Sequence, residues 1–243
     1  MSPDVQVVMC NAVAGSGKTL LSIACARMLQ AYHGYDGVVY IFPTVEENTL
    51  GYRPGDTATK EQDYTGPLMD ALLRINETPT QAIASDISLK NGTAWIEARS
   101  ATFMRGINLE RKVVIIDECQ NLTVPIIKRI ISRCHDSCKV LILGCTAQTD
   151  IPIDRSGFQQ LLDYLGKFDK VAMCELPVSY RGWLATAIDR LENFIIPSLT
   201  TSCLYGIITI SIDRRLLCFS ISAICLIANL TYISEINSYR ASR

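Results

Sequence analysis

The chain has 243 residues, 49% of them hydrophobic and 19% charged, with a formal net charge of −1. That apolar share supplies a packed core and excludes wholesale disorder. The near balance of 23 basic and 24 acidic residues excludes a whole-protein attraction to nucleic acid, although a local basic groove is compatible with it.

The length suits one large domain, or one domain with an appendage. Ten cysteines are present. Cys10, Cys25, Cys119, Cys145, Cys174, Cys218 and Cys225 sit inside apolar runs, so they are expected to be reduced, buried thiols acting as small hydrophobes. Cys134 and Cys138 flank His135, but no second ligand pair follows at zinc-finger spacing. Residues 1–10 contain no basic region followed by a long apolar core, so no signal peptide is expected, and the cytoplasm is favoured.

In chain order, residues 5–10 read as a buried strand ending at a glycine-bearing loop. Residues 18–32 carry Leu20, Leu21, Ala24, Met28 and Leu29 at helical spacing, until Gly34 and Gly37 break the pattern. A second strand is expected over 38–42, which completes a βαβ unit and points to a parallel sheet. Residues 43–66 are rich in Pro, Gly, Thr and charge and read as an exposed loop. A short helix is expected over 67–75 with Pro67 in its first turn, then a strand over 93–98. Residues 113–116 are a β-branched run suited to a strand covered on both faces. A helix over 124–134, a strand over 139–143, a helix over 158–165, a strand over 171–174 and an amphipathic helix over 183–194 follow. The alternation predicts an α/β fold with a doubly wound, mostly parallel sheet flanked by helices.

The stretch Ala12-Val13-Ala14-Gly15-Ser16-Gly17-Lys18-Thr19 fits the Walker A pattern, with Ala12 in the place of the usual first glycine. Gly15 and Gly17 let backbone N–H groups turn inward around phosphate oxygens, where a Cβ would obstruct them. The helix that begins near Lys18 presents its positive end to the same anion. Lys18 supplies a point charge between the β- and γ-phosphates, and the Thr19 hydroxyl binds Mg²⁺. Ala14, Gly15, Ser16, Gly17, Lys18 and Thr19 are therefore the expected nucleotide contacts. A chance match in a strand-to-helix turn is the competing reading, and the preceding strand and following helix weigh against it.

Val113-Val114-Ile115-Ile116-Asp117-Glu118 is an apolar strand ending in two carboxylates, the Walker B pattern. Asp117 is expected to hold Mg²⁺, directly or through water. Glu118 is placed to orient and deprotonate the attacking water. An acidic residue directly after the Walker B Asp marks the ASCE division of P-loop proteins. A strand that ends in solvated acids is the bland alternative, and the phosphate loop upstream argues against it.

Gln120 and Asn121 extend the second motif to Asp-Glu-Cys-Gln-Asn. Here the sequence resembles the PhoH-like family, P-loop ATPases related to the core of superfamily 1 helicases. Pro43-Thr44-Val45-Glu46, Leu50-Gly51-Tyr52-Arg53-Pro54-Gly55-Asp56, Phe103-Met104-Arg105-Gly106 and the run from Gly144 to Pro152 resemble its other motifs in order. Val178-Ser179-Tyr180-Arg181 is similar to its Val-Val-Arg-His. The resemblance covers roughly 5–193. Cys145 stands where the family usually has Asp, and Gly182 where His is common.

The resemblance implies a RecA-like sheet, ATP and Mg²⁺ as ligands, and RNA or single-stranded nucleic acid as a partner. It implies that Gln148 senses the γ-phosphate, against the alternative of a polar residue in a surface turn. Arg181 is expected to act as an arginine finger, in its own site or a neighbour's, because a guanidinium fork neutralises charge on a transferring phosphoryl group. Arg105 is a candidate contact for nucleic acid or an adjacent subunit. Glu46, Asp56 and Lys60 are candidates in a loop that closes over substrate.

An ATPase that couples hydrolysis to a polymer is the leading reading. A nucleotide-dependent binding switch with little turnover and an inactive, truncated or frame-altered product are the alternatives. A ring-shaped homo-oligomer fits the resemblance. Residues 1–197 are expected to form the ATPase domain. Residues 198–243 form an atypical apolar tail, in which the uncharged run 216–234 approaches the length of a membrane span. A membrane anchor, a strand-rich extension and a segment foreign to the fold are the three readings of that tail, and none gives it a catalytic residue.

Overall fold

Runs of Val, Ile and Leu form the centre of a six-stranded sheet in the computed structural model, which describes residues 4–44 and 65–189. The strands are β1 (Val7–Ala12), β2 (Gly37–Phe42), β3 (Ile96–Ser100), β4 (Lys112–Ile116), β5 (Lys139–Gly144) and β6 (Val171–Leu176). Their order is β3-β2-β4-β5-β1-β6, and every neighbouring pair is parallel. β2 and β5 are buried at every position. That is the pattern of strands covered on both faces, and it explains why their sequences run apolar without alternation.

Alternate residues feed two cores. Cys10, Ala12, Tyr40, Val113, Ile115 and Leu141 face α1 (Lys18–Tyr32) and α2 (Gly66–Arg74). Two short helices follow, α3 (Pro79–Ala82) and α4 (Asp86–Lys90). On the opposite face Met9, Ile41, Val114, Ile116 and Ile142 pack against α5 (Val124–Ile131) and α6 (Phe158–Leu165). α7 (Trp183–Asp189) comes last. Helices on both faces of a parallel sheet make this a doubly wound α/β fold, as the alternation in the sequence predicts, and the strand between β1 and β4 agrees with the RecA-like sheet that the resemblance implies. Among the described residues no helix is long and apolar enough to cross a membrane.

The registers set one edge of the sheet. Asn11 lies beside Gly144, Ala12 beside Leu176, and Ile116 beside Ile142. The segments after β1, β4, β5 and β6 therefore all leave from the carboxyl edge, where open α/β sheets place ligands.

Some expectations need correction. In α1 the buried residues are Ser22, Ile23, Ala26 and Leu29, while Leu21 and Met28 are exposed. The side of α1 that meets the sheet carries Ser22, Ile23, Ala26 and Leu29, so Leu21 and Met28 fall on the side that faces away. Residues 75–95 hold α3 and α4, so the third strand starts at Ile96 and not at 93. α4 is set by a reciprocal Ser85–Ser88 capping box, which is carried by two serines and lacks the Glu or Gln usual at its third position. The helix expected over 124–134 stops at Ile131, and Cys134 instead bridges to Leu109. Cys25 and Cys174 are exposed, not buried. Glu46, Asp56, Lys60, Cys218, Cys225, the loop over 45–64 and the tail lie outside the described residues.

Candidate nucleotide site

β1 runs to Ala12 and releases the chain into the loop. Gly15 and Gly17 take φ of 72° and 83°, values that Cβ-bearing residues reach only at a cost. Gly17 is also the N-cap of α1, and no side chain caps that helix. The first N–H groups of a helix need acceptors from outside it, and here they open onto the loop. A Cβ built at Gly17 would meet nothing within 4 Å, so the space beside this residue is open. Ser16 is buried, and its Oγ has no hydrogen-bond partner among the described residues. An unpaired buried hydroxyl, an uncapped helix N-terminus and an open glycine cradle fit a phosphate group.

β4 delivers the carboxylates. Asp117 is fully buried and well supplied with donors. The Thr19 hydroxyl donates to its Oδ2 at 2.7 Å, the Tyr40 hydroxyl donates to the same oxygen at 2.8 Å, and the Glu118 N–H donates to Oδ1 at 2.9 Å. Burial, helped by the charge of Glu118, holds Asp117 above the usual carboxylate range; Lys18, Thr19 and Tyr40 pull the other way. Burial and then Asp117 push the Tyr40 phenol well above its ordinary value, so Tyr40 stays a donor. The paired Thr19 and Asp117 oxygens are hard donors of the kind Mg²⁺ takes, alongside substrate phosphates and water.

Glu118 has φ 48° and ψ 42°, left-handed for a residue that carries a Cβ. Such a conformation costs about 1–2 kcal/mol and is held by what the side chain reaches. Glu118 Oε1 pairs with Lys18 Nζ at 2.9 Å, and Gln120 Nε2 donates to Oε2 at 2.6 Å. Burial lowers the Lys18 ammonium, but Glu118 and then Asp117 outweigh it and leave Lys18 above its ordinary value. Gln120 is buried and in turn accepts from the Cys145 N–H at 3.1 Å. The link to β5 thus uses the backbone of residue 145, and the thiol that replaces the family's acid does not enter it.

β6 brings the arginine. Val13 N–H donates to Leu176 O at 3.1 Å, and Tyr180 N–H donates to Gly15 O at 3.0 Å. A methyl group at Gly15 would lie 2.8 Å from Arg181 Cδ and 2.9 Å from its Nε. Arg181 therefore lies across the phosphate loop of its own chain. Gln148 follows β5 and is half-buried. Its loop is joined to the segment after β4, because Thr149 Oγ1 donates to Gln120 O at 3.4 Å and Asp150 N–H donates to Asn121 Oδ1 at 2.8 Å. Asn11 and Thr146 join the ends of β1 and β5. Arg105 is exposed on the turn after β3.

Lys18, Thr19, Asp117, Glu118 and Arg181 are thus brought together from β1, β4 and β6, although β5 lies between β4 and β1. Sequence reasoning missed Tyr40 and Gln120. Gln120 had a signal, since it stands inside the quoted second motif. Tyr40 had only its parity: it sits one strand from Asp117 in a run that otherwise carries no polar side chain.

The family model described as PhoH-like protein matches residues 1–181. Over 197 residues the chain is 33% identical to a PhoH-like protein of Synechocystis sp., covering 77% of this chain and 58% of that protein. It is 30% identical over 169 residues to Protein PhoH of Escherichia coli strain K12, covering 69% and 46%. With a PhoH-like protein of Bacillus subtilis strain 168 it shares 32% over 165 residues, covering 67% and 50%. The chain spans about half the length of the curated relatives it matches. Among solved structures, the Sulfolobus solfataricus SWI2/SNF2 ATPase core in complex with dsDNA overlays with a TM-score of 0.38 at 15% identity, covering 69% of this chain and 40% of that one. Unliganded Pif1 from Bacteroides sp. overlays with a TM-score of 0.32 at 12% identity, covering 79% and 42%.

Proposed function

Because the chain belongs to the PhoH family, we propose that it binds ATP with Mg²⁺ and hydrolyses the β–γ phosphoanhydride at the site built from β1, β4 and β6. The observation that carries this reading is the convergence of Thr19 on Asp117 and of Lys18 on Glu118 from two strands that are not neighbours. Ala14 to Thr19 line the phosphates, with backbone N–H groups as donors and Lys18 as the cation. Thr19 and Asp117 are the oxygens that would hold Mg²⁺, which when bound neutralises charge developing on the phosphoryl oxygens.

Glu118 acts as the general base. With Lys18 on Oε1 and Gln120 on Oε2, both its oxygens are engaged. A phosphate offers Lys18 a more highly charged partner, and Oε1 is then free to take a proton from water. Gln120 keeps hold of Oε2, so the carboxylate stays aimed. Arg181 offsets charge on the transferring group from within the same chain, and Gln148 senses the γ-phosphate. The ATPase domain extends over 1–197, and the family resemblance supports a cytoplasmic protein, a ring of like subunits, and coupling of hydrolysis to RNA or single-stranded nucleic acid.

A nucleotide-dependent switch with little turnover is the second reading, favoured by the double engagement of Glu118. Steady-state phosphate release separates the two. The proposal expects Mg²⁺-dependent release that Lys18→Ala abolishes, together with loss of ATP binding in calorimetric titration, and stimulation by RNA. Binding without release supports the switch. Unchanged ATP affinity in Lys18→Ala overturns the site.

A further inference from the structure

β1 and β6 place two thiols side by side. Cys10 and Cys174 are register partners in adjacent parallel strands, so their side chains leave the sheet on the same face at the same height. Cys10 is buried beneath α1, whereas Cys174 is exposed on β6, which ends the sheet among the described residues. Neighbouring strands lie about 4.8 Å apart, within the range of roughly 4.4–6.8 Å that Cα atoms span across a disulfide. The two Cβ atoms must approach to about 3.8 Å, which asks β6 to lean toward β1 by on the order of 1 Å. An edge strand with residues 173–175 exposed can do this without opening the sheet. Cys134 and Cys138 differ, since each thiol donates to a backbone carbonyl.

We propose that Cys10 and Cys174 are an oxidisable dithiol, which hydrogen peroxide converts to a disulfide joining β1 to β6. The exposed Cys174 sulfur, as thiolate, attacks one peroxide oxygen. The O–O bond breaks, and the departing hydroxide takes a proton to become water, leaving Cys174 as a sulfenic acid. The Cys10 sulfur then attacks the Cys174 sulfur and loses its proton. The S–O bond breaks, the S–S bond forms, and a second water leaves. Two thiols give up two electrons in all, and one peroxide accepts them.

Burial and the neighbouring Cys174 push Cys10 up to about 12. Cys10 is therefore the resolving thiol and not the one that meets the oxidant. The consequence lies in what the strands carry: β1 leads to Gly15 and Lys18, and β6 leads to Arg181. The Val13–Leu176 and Tyr180–Gly15 hydrogen bonds already join these segments, and a disulfide fixes them covalently. The chemistry of the pair stands whether or not the chain hydrolyses ATP.

Peptide mapping of the full chain after hydrogen peroxide treatment tests this. Trypsin cuts after Lys18, Lys170 and Arg181, so the pair lies in peptides 1–18 and 171–181. The expected product is these two peptides joined, lighter by two hydrogen atoms than their sum, and separated by dithiothreitol. Cys10→Ser should send Cys174 on to the sulfinic and sulfonic acids, and deuterium uptake across 171–181 should slow in the oxidised wild-type chain. Cys174 over-oxidised in the wild type while Cys10 remains alkylatable overturns the proposal, as does Cys174 joined to any other cysteine.

Discussion

Tyr40 reaches Asp117 from a strand that carries no motif, and it is one of three donors to a carboxylate that water does not reach. Removing a hydrogen bond to a buried charged group costs about 1.5–3 kcal/mol. Tyr40→Phe keeps the ring packing and is expected to lose that much in denaturant unfolding. It should also weaken ATP binding more in the presence of Mg²⁺ than in its absence, because the loosened oxygen belongs to the proposed metal holder. An equal loss under both conditions contradicts that role. Arg181 lies over Gly15 of its own chain. Arg181→Ala should therefore lower turnover, by on the order of 10³-fold for an arginine finger, and spare ATP affinity. Mixing it with Lys18→Ala protein should not restore activity. Restored activity in mixed oligomers places the arginine in a neighbour's site.

Elements set how tightly these residues are held. Gly144 ends β5 where the buried ring of Phe158 on α6 closes in, and a methyl group there would come within 2.6–2.8 Å of three ring carbons. Gly144→Ala should destabilise the fold by about 1–3 kcal/mol while ATP affinity persists, since the crowding falls on the ring of Phe158. An unchanged unfolding midpoint in urea contradicts the close approach. The strands were largely legible because dense β-branched runs bounded by glycine leave few alternatives, and α1 and α6 matched to the residue. The facing of α1 was not legible, because Leu21 and Met28 satisfy helical spacing as well as Ile23 and Ala26 do. Only the seat of the helix on the sheet chooses between the two faces. α3 and α4 escaped because helices this short have almost no period to read. In the site, spacing alone picked out Gly15, Gly17, Lys18, Thr19, Asp117 and Glu118. Tyr40 depended on β2 landing beside β4, which is a tertiary fact. Arg181 was named through resemblance, and its place over the loop needed the path of the chain after β6.

At the scale of the whole molecule, every residue of the proposed site precedes Gly182. Truncation after Pro197 is expected to leave a soluble protein with unchanged ATP affinity, measured by calorimetry. It should also aggregate less, as removal of apolar, β-prone sequence predicts. A truncated chain that is insoluble or no longer binds ATP would instead make 198–243 part of the core.

Glu118, tied to Lys18 at rest, is proposed to become the base that activates water. Single-turnover phosphate release by Glu118→Gln, alongside calorimetric ATP binding by the same protein, tests it most directly. Binding should be retained and release slowed by roughly 10²–10⁴-fold, the usual loss for a general base. Release at the parent rate would contradict it and place the base elsewhere.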